Sequence, residues 1–291
     1  MTAEPHARRV ALPGSDGEMA YLDLGPAGRP VDVVFVHANG FNGRTYRSVL
    51  APLADLRILA VDLRGHGRST LPTVIEGRRG WTEFRDDLLA FLELTTDGAV
   101  VLAGHSMGGT TSLLTAVDRP ERVRALALFD PVLLQPSVLK GRAGGGGPPE
   151  TNSRLAEGAM KRRVAFKDRA EALSAYRGRG AFRTWSEEQI IDYMIDGLIE
   201  APGGGVVLAC ARDWEASNFR THNCDPWAAL AHVRRPVRIL RAETDSTAHI
   251  EVDPELFDRP NIHLETIPGS THFLPLERPE LARAALRDLS G

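Results

Sequence analysis

Cysteine is scarce in this chain of 291 residues: Cys210 and Cys224 are the only two, and they fit no metal-ligand spacing. Two cysteines make no dense disulfide framework, which points to a reducing, cytoplasmic setting. Lysine is scarcer than arginine, occurring only at Lys140, Lys161 and Lys167. Charge of one sign is also lacking. A formal net charge of -3 gives no general reason to bind nucleic acid or an anionic membrane. No apolar run approaches the roughly 20 residues of a membrane helix, so no membrane insertion is expected. Residues 1–13 carry charge but no apolar segment, so no secretory signal is expected there. No internal repeat is visible. The 43% hydrophobic and 25% charged content is that of an ordinary globular protein.

The first half alternates short apolar runs with amphipathic stretches, as βαβ units demand. Strands are expected at 9–12, 20–24, 32–37, 57–62, 99–104 and 123–129, and helices at 45–54, 82–94 and 107–119. Val33-Val34-Phe35-Val36 and Ala125 to Phe129 are apolar without alternation, as in strands covered on both faces. The rhythm breaks after Pro131. A glycine–proline tract at 144–149 follows, as a flexible entry or a mobile lid edge. Helix-like stretches come at 153–167, 169–176, 186–197 and 206–214, the last two separated by Pro202-Gly203-Gly204-Gly205. Strands at 237–241 and 261–267 then precede a final helix at about 274–289.

The chemistry gathers at Leu102-Ala103-Gly104-His105-Ser106-Met107-Gly108-Gly109. Ser106 stands between a buried-strand run and a helix-like run, in a Gly-x-Ser-x-Gly frame. The glycines remove side chains that would collide as strand and helix approach, leaving the serine on a strained, exposed turn. That turn resembles the nucleophile elbow of the α/β-hydrolase family, and the resemblance extends over nearly the whole core. It implies a mostly parallel eight-stranded sheet with helices on both faces and an α-helical cap inserted after the sixth strand. The division expected is core at 1–131, cap at 132–227 and core again at 228–291.

A serine hydroxyl is a weak nucleophile, so it needs a base, and the base needs an acid to orient it. In this family the partners follow in the order serine, acid, histidine. Pro268-Gly269-Ser270-Thr271-His272-Phe273, followed by Glu277-Arg278-Pro279-Glu280, resembles the catalytic-histidine loop and implies His272 as base. The resemblance places the acid at Asp245, in the loop after the strand at 237–241. Asp130, in Phe129-Asp130-Pro131, is the known alternative position, or else a turn residue that sets the cap's angle. For the oxyanion hole it implies the backbone N–H of Met107 and one from His37-Ala38-Asn39-Gly40-Phe41, assigned to Asn39. Ala38 stands where the family usually has glycine, and the Asn39 side-chain amide is a possible extra donor.

Of the other histidines, His66, in its turn, His232, as a helix cap, and His263, within a strand, read as structural. Asp62 to Ser69, with its glycines, reads as a tight scaffold loop in which Arg64 is a pinning charge. A phosphate-binding reading fails there because the lysine and following helix of a P-loop are missing. Cap aromatics, including Trp185 and Trp214, favour an apolar lining. Trp214-Glu215 resembles a cap segment of relatives and is a candidate pocket wall or a packing element. His37, Phe41, Trp185, Trp214 and His222 are the candidate substrate contacts. Basic residues dominate 140–183 and acidic ones 187–225, as two solvated helix faces or as a draw for an anionic substrate.

The expected activity is hydrolysis of a small or medium apolar ester, thioester or lactone through an acyl-enzyme, without metal or cofactor. A carbon–carbon bond hydrolase, a perhydrolase and a slow-hydrolysing ligand receptor are the alternatives compatible with the same residues. Epoxide hydrolysis and dehalogenation are disfavoured, since relatives with that chemistry carry aspartate where Ser106 stands. The partner expected is a small-molecule substrate.

Overall fold

The computed structural model describes residues 5–135 and 150–291. The tract at 144–149 and Lys140 lie outside the described residues. Eight strands form one sheet in the order β1-β2-β4-β3-β5-β6-β10-β11. They are β1 (His6–Ala11), β2 (Glu18–Leu24), β3 (Val33–Val36), β4 (Ile58–Val61), β5 (Val100–His105), β6 (Val123–Phe129), β10 (Val237–Ala242) and β11 (Ile262–Ile267). β1 and β2 run antiparallel, and every pairing from β4 to β11 is parallel. The expected mostly parallel sheet is therefore present, with all eight strands within a few residues of their expected places.

Alternation along each strand divides the core in two. Val34, Val36, Leu59, Val61, Val100 and Leu102 lie under α2 (Thr82–Thr95), α3 (Met107–Asp118) and α8 (Pro226–His232), among Phe84, Leu88, Leu113 and Leu230. Val33, Phe35, Ile58, Ala60, Val101 and Ala103 face the other way, toward Val49, Leu50, Ala285 and Leu286 of α1 (Arg47–Leu50) and α10 (Pro279–Ser290). A short helix, α9 (Leu274–Glu277), leads into α10. The expected helix at 45–54 is shorter: a 3-10 turn over Gly43–Tyr46, capped by Asn42 and Thr45, runs into α1.

Strand order reverses between β3 and β5, because β4 lies to one side of β3 and β5 to the other. Loops leaving the carboxyl ends of two such strands diverge and open a crevice. The Asn39 loop and Ser106 both leave the sheet there.

The insertion after the sixth strand comprises α4 (Glu150–Met160), α5 (Arg169–Tyr176), α6 (Glu187–Gly197) and α7 (Arg212–Arg220). It also holds a three-stranded antiparallel sheet, β7 (Ala165–Phe166), β9 (Val206–Leu208) and β8 (Leu198–Glu200). This corrects the helical expectation for 206–214: Val206 and Val207 pair as a hairpin strand, and helix begins only at Arg212. The hairpin turns through Gly204 and Gly205, both at positive φ. α6, started by a Ser186–Gln189 capping box, is clamped to the core by ion pairs. Arg44 and Arg68 meet Asp196 at 2.8 and 2.9 Å, and Arg47 meets Asp192 at 2.6 Å. No helix of the described residues is long and apolar enough to cross a membrane.

Candidate active site

β5 ends at His105 and α3 begins at Met107, so Ser106 alone makes the turn, at φ 55° and ψ −121°. The flanking glycines are required by distance. A Cβ on Gly104 would lie 2.4 Å from the Gly108 backbone, and one on Gly108 would lie 2.2 Å from the Val36 carbonyl oxygen. Backbone cannot yield as a flexible side chain can, so only glycine fits at either position.

His272 reaches Ser106 from the loop after β11. Its Nε2 lies 3.0 Å from Ser106 Oγ, and its Nδ1 lies 2.6 Å from Asp130 Oδ2. The carboxylate fixes the tautomer: Nδ1–H donates to Asp130, which leaves the Nε2 lone pair to accept the serine proton. Glu277 holds this loop by accepting from the Thr271 N–H and hydroxyl, both at 2.8 Å.

The carboxylate beside the histidine belongs to Asp130, which corrects the expectation for Asp245. β6 and β10 are neighbours, so both aspartates leave adjacent strand ends. Asp130 follows β6 directly, at φ 42°, and is fully buried. Its Oδ1 accepts from Ala242 N–H at 2.9 Å and Ser246 Oγ at 2.6 Å, while Oδ2 accepts from Thr247 N–H at 3.0 Å. Burial by itself raises the pKa of this carboxyl, but the bonds from His272, Ser246 and Ala242 outweigh it and hold the pKa below the usual carboxylate value. Asp245 lies three residues beyond β10, exposed to solvent. The loop that carries Asp245 serves the site through Ser246 and Thr247 instead.

Met107 is the first residue of α3, so its N–H has no partner one turn back in the helix. The N–H of Ala38 donates to Tyr46 Oη at 3.2 Å. The Asn39 side chain turns away from the crevice: its amide donates to the Glu215 carbonyl at 3.0 Å and its oxygen accepts from Asn218 at 2.8 Å. It is therefore not an additional oxyanion donor, which corrects that expectation.

Sequence reasoning missed Tyr46 and His105. His105 Nε2 faces the His272 carbonyl at 2.6 Å, so that nitrogen carries the proton, and Nδ1 accepts from Tyr46 Oη at 2.7 Å. Burial pushes His105 down to about 3, so it stays neutral. A relay thus runs from Ala38 N–H through Tyr46 and His105 to the backbone of His272, joining two loops that β5 separates. The available signal was a polar residue sharing a strand face with Val101 and Ala103.

The proposed substrate contacts divide. His37 is fully buried, with Nε2 accepting from Leu63 N–H at 2.9 Å and Nδ1 against the Ala38 carbonyl at 2.7 Å; it is scaffold. Trp214 donates its indole N–H to the Arg64 carbonyl at 3.0 Å and lies under the Arg78 guanidinium, so it is a packing element. His222 is buried edge-on against Trp81, 4.4 Å between ring centroids, also away from the crevice. Phe41 and Trp185 differ. They meet each other at 5.1 Å and Phe273 at 6.1 and 6.0 Å, and Phe273 adjoins His272. Arg64 pins its loop as expected, through two bonds to Asp87 and one to the Pro72 carbonyl.

Among the described residues, no three His, Cys, Asp or Glu side chains come together as a metal site. A cleft of about 410 Å³ lined by Met160, Val164, Leu208 and Arg212 lies in the insertion and includes no residue of the serine constellation.

A mostly parallel eight-stranded sheet, with an elbow serine at its switch point and a helical insertion after the sixth strand, defines the α/β-hydrolase class. The model of the alpha/beta hydrolase family matches residues 33–285, and the chain belongs to that family. A curated relative, lipase LipV of Mycobacterium tuberculosis, is 37% identical over 111 residues, 38% of this chain. That match spans 40% of the lipase, well under two thirds of its length. Among solved structures, E-2-(acetamidomethylene)succinate hydrolase superposes with a TM-score of 0.80 at 21% identity, covering 98% of this chain and 99% of that one. The thioesterase domain from the curacin biosynthetic pathway gives 0.75 at 21% identity, covering 98% and 100%. At such identity both likenesses bear on the fold.

Proposed function

We propose that the chain is a serine hydrolase that cleaves a small or medium apolar ester, thioester or lactone through an acyl-enzyme. Ser106 Oγ attacks the carbonyl carbon while His272 Nε2 takes the hydroxyl proton. Asp130 holds the imidazolium so formed. The oxyanion lies between the N–H groups of Met107 and Asn39, each worth about 2.7–4 kcal/mol by the known effect of removing such a donor. His272 then gives its proton to the leaving group, the acyl–oxygen or acyl–sulfur bond breaks, and water repeats the sequence to release the acid.

The observation that carries this reading is the pair of contacts on one imidazole, 3.0 Å to Ser106 and 2.6 Å to Asp130. Phe41, Trp185 and Phe273 beside it support an apolar acyl or alcohol group. The described residues of the insertion, at 132–135 and 150–227, act as the cap that encloses this side of the crevice. The test is turnover of a panel of p-nitrophenyl esters, acyl thioesters and lactones by the purified chain and by Ser106→Ala. Hydrolysis of at least one class, lost in the variant, supports the proposal; turnover that survives the substitution sinks it.

A further inference from the structure

Asn39 is held by the insertion rather than by its own loop. Both polar atoms of its side chain bond to one helix, α7: Nδ2 donates to the Glu215 carbonyl and Oδ1 accepts from Asn218 Nδ2, with a longer contact of 3.3 Å from Oδ1 to His66 Nε2 of the core. Asn218 is fully buried, and its own Oδ1 accepts from Arg78 Nη1 at 2.6 Å. Its backbone carbonyl accepts the Trp81 indole N–H at 3.0 Å. Arg78 in turn is wedged over the Trp214 ring, 4.2 Å from guanidinium to centroid.

Arg78 sets the direction of this chain, and the 2.8 Å and 3.0 Å bonds to α7 outweigh the longer contact with His66. A guanidinium only donates, so the Asn218 oxygen must face Arg78. The Asn218 amide then points at Asn39, whose oxygen must receive it, and the Asn39 amide is left for the Glu215 carbonyl. Flipping either carboxamide sets donor against donor or acceptor against acceptor in a buried site, at a cost of about 1–3 kcal/mol for each group left unpaired. On the other side of the same loop, Tyr46 takes the Ala38 N–H. The Ala38–Asn39 segment is therefore gripped from the core by Tyr46, through the Ala38 N–H, and from the insertion by α7, through the Asn39 side chain.

We propose that Asn218 is a positioning residue for the oxyanion hole: through Asn39 it sets the backbone N–H that receives the oxyanion, and the site is competent only while α7 is docked. This rests on the reading of Ser106 as nucleophile. Asn218 touches no substrate; it acts by aiming Asn39.

Asn218→Asp separates aim from packing. The aspartate keeps an oxygen toward Arg78, now as an ion pair, so α7 stays anchored. Its second oxygen faces the Asn39 oxygen and pushes it away. The expected result on a p-nitrophenyl ester is a kcat lowered about tenfold to a hundredfold, the range of a small misplacement to a lost donor. KM should stay within about threefold, with the melting temperature at or above that of the unsubstituted chain. Asn39→Ala should lower kcat similarly, and Asn39→Ala with Asn218→Ala should do no more than either alone, because both cut one chain of bonds. Unchanged kcat in Asn218→Asp, or effects that multiply in the double variant, would overturn the proposal. A fluorophosphonate separates the nucleophile from the positioning role. If the unsubstituted chain is not labelled at Ser106, the functional reading fails; if it is labelled and Asn218→Asp is labelled at the same rate, only the positioning role fails.

Discussion

Replacing Asp130 by asparagine isolates one proton. Oδ1 of residue 130 must accept from Ala242 N–H and Ser246 Oγ, so in the variant the amide oxygen stays at that position. The new NH2 then occupies the place of Oδ2, 2.6 Å from His272 Nδ1. It can only donate, so Nδ1 becomes the acceptor and the imidazole proton moves to Nε2, against Ser106. A histidine in that tautomer cannot take the serine proton. The corresponding substitution in the well-studied serine triad costs about ten-thousandfold in kcat, or about 5 kcal/mol of barrier. Asp130 is fully buried, so little solvent screening softens the loss. The NH2 also meets the Thr247 N–H, an unpaired contact that should lower stability by about 1–3 kcal/mol. The assay is p-nitrophenyl ester hydrolysis at pH 7.5, with Asp245→Asn as control. The expected outcome is at least a thousandfold loss for Asp130→Asn and less than a twofold change for Asp245→Asn. If Asp130→Asn kept more than a tenth of the activity while Asp245→Asn fell a hundredfold, the assignment of the acid would be refuted.

Three further outcomes follow from the geometry. His37 is neutral inside the fold, with burial lowering its pKa to about 4, so it takes up a proton on unfolding. Its contribution is full above about pH 6.5 and is lost as pH falls toward 4, so His37→Asn should flatten the drop in melting temperature between pH 6.5 and 4.5; an unchanged slope would contradict this. Gly108→Ala would drive a Cβ into the Val36 carbonyl and should give no soluble folded protein, whereas a soluble variant with normal melting would show that the elbow is looser than drawn. Tyr46→Phe removes the hydroxyl between Ala38 N–H and His105 Nδ1 and should cost about 1–3 kcal/mol in urea unfolding, with kcat falling and KM little changed. Full stability in that variant would argue against the relay.

The centre of the sheet was legible because β3, β4, β5 and β6 are buried on both faces and read as apolar runs that few other structures produce. The three-residue strand Val206–Leu208 was not. It is too short to show a period, and the helix that follows it dominated the pattern. Ser106 and His272 were legible because each stands at a strand end with a distinctive loop. The acid was ambiguous for a physical reason: Asp130 and Asp245 both leave the ends of paired strands, and loop conformation decides between them. A buried aspartate at positive φ surrounded by four donors is a property of folded backbone that no local sequence pattern announces. Trp214 and His222 misled in the same way. Aromatic residues of an inserted segment, Trp214 on a helix and His222 in the coil after it, look alike in sequence whether they face a crevice or pack under a neighbouring loop.

On the proposed mechanism Ser106 is the one nucleophile. Its most direct test is the intact mass and peptide map of the purified chain after reaction with a fluorophosphonate. The expected result is a single adduct, carried on Ser106, absent from Ser106→Ala, with ester turnover lost in proportion to labelling. An adduct on another residue, or ester turnover that persists in fully labelled protein, would contradict it.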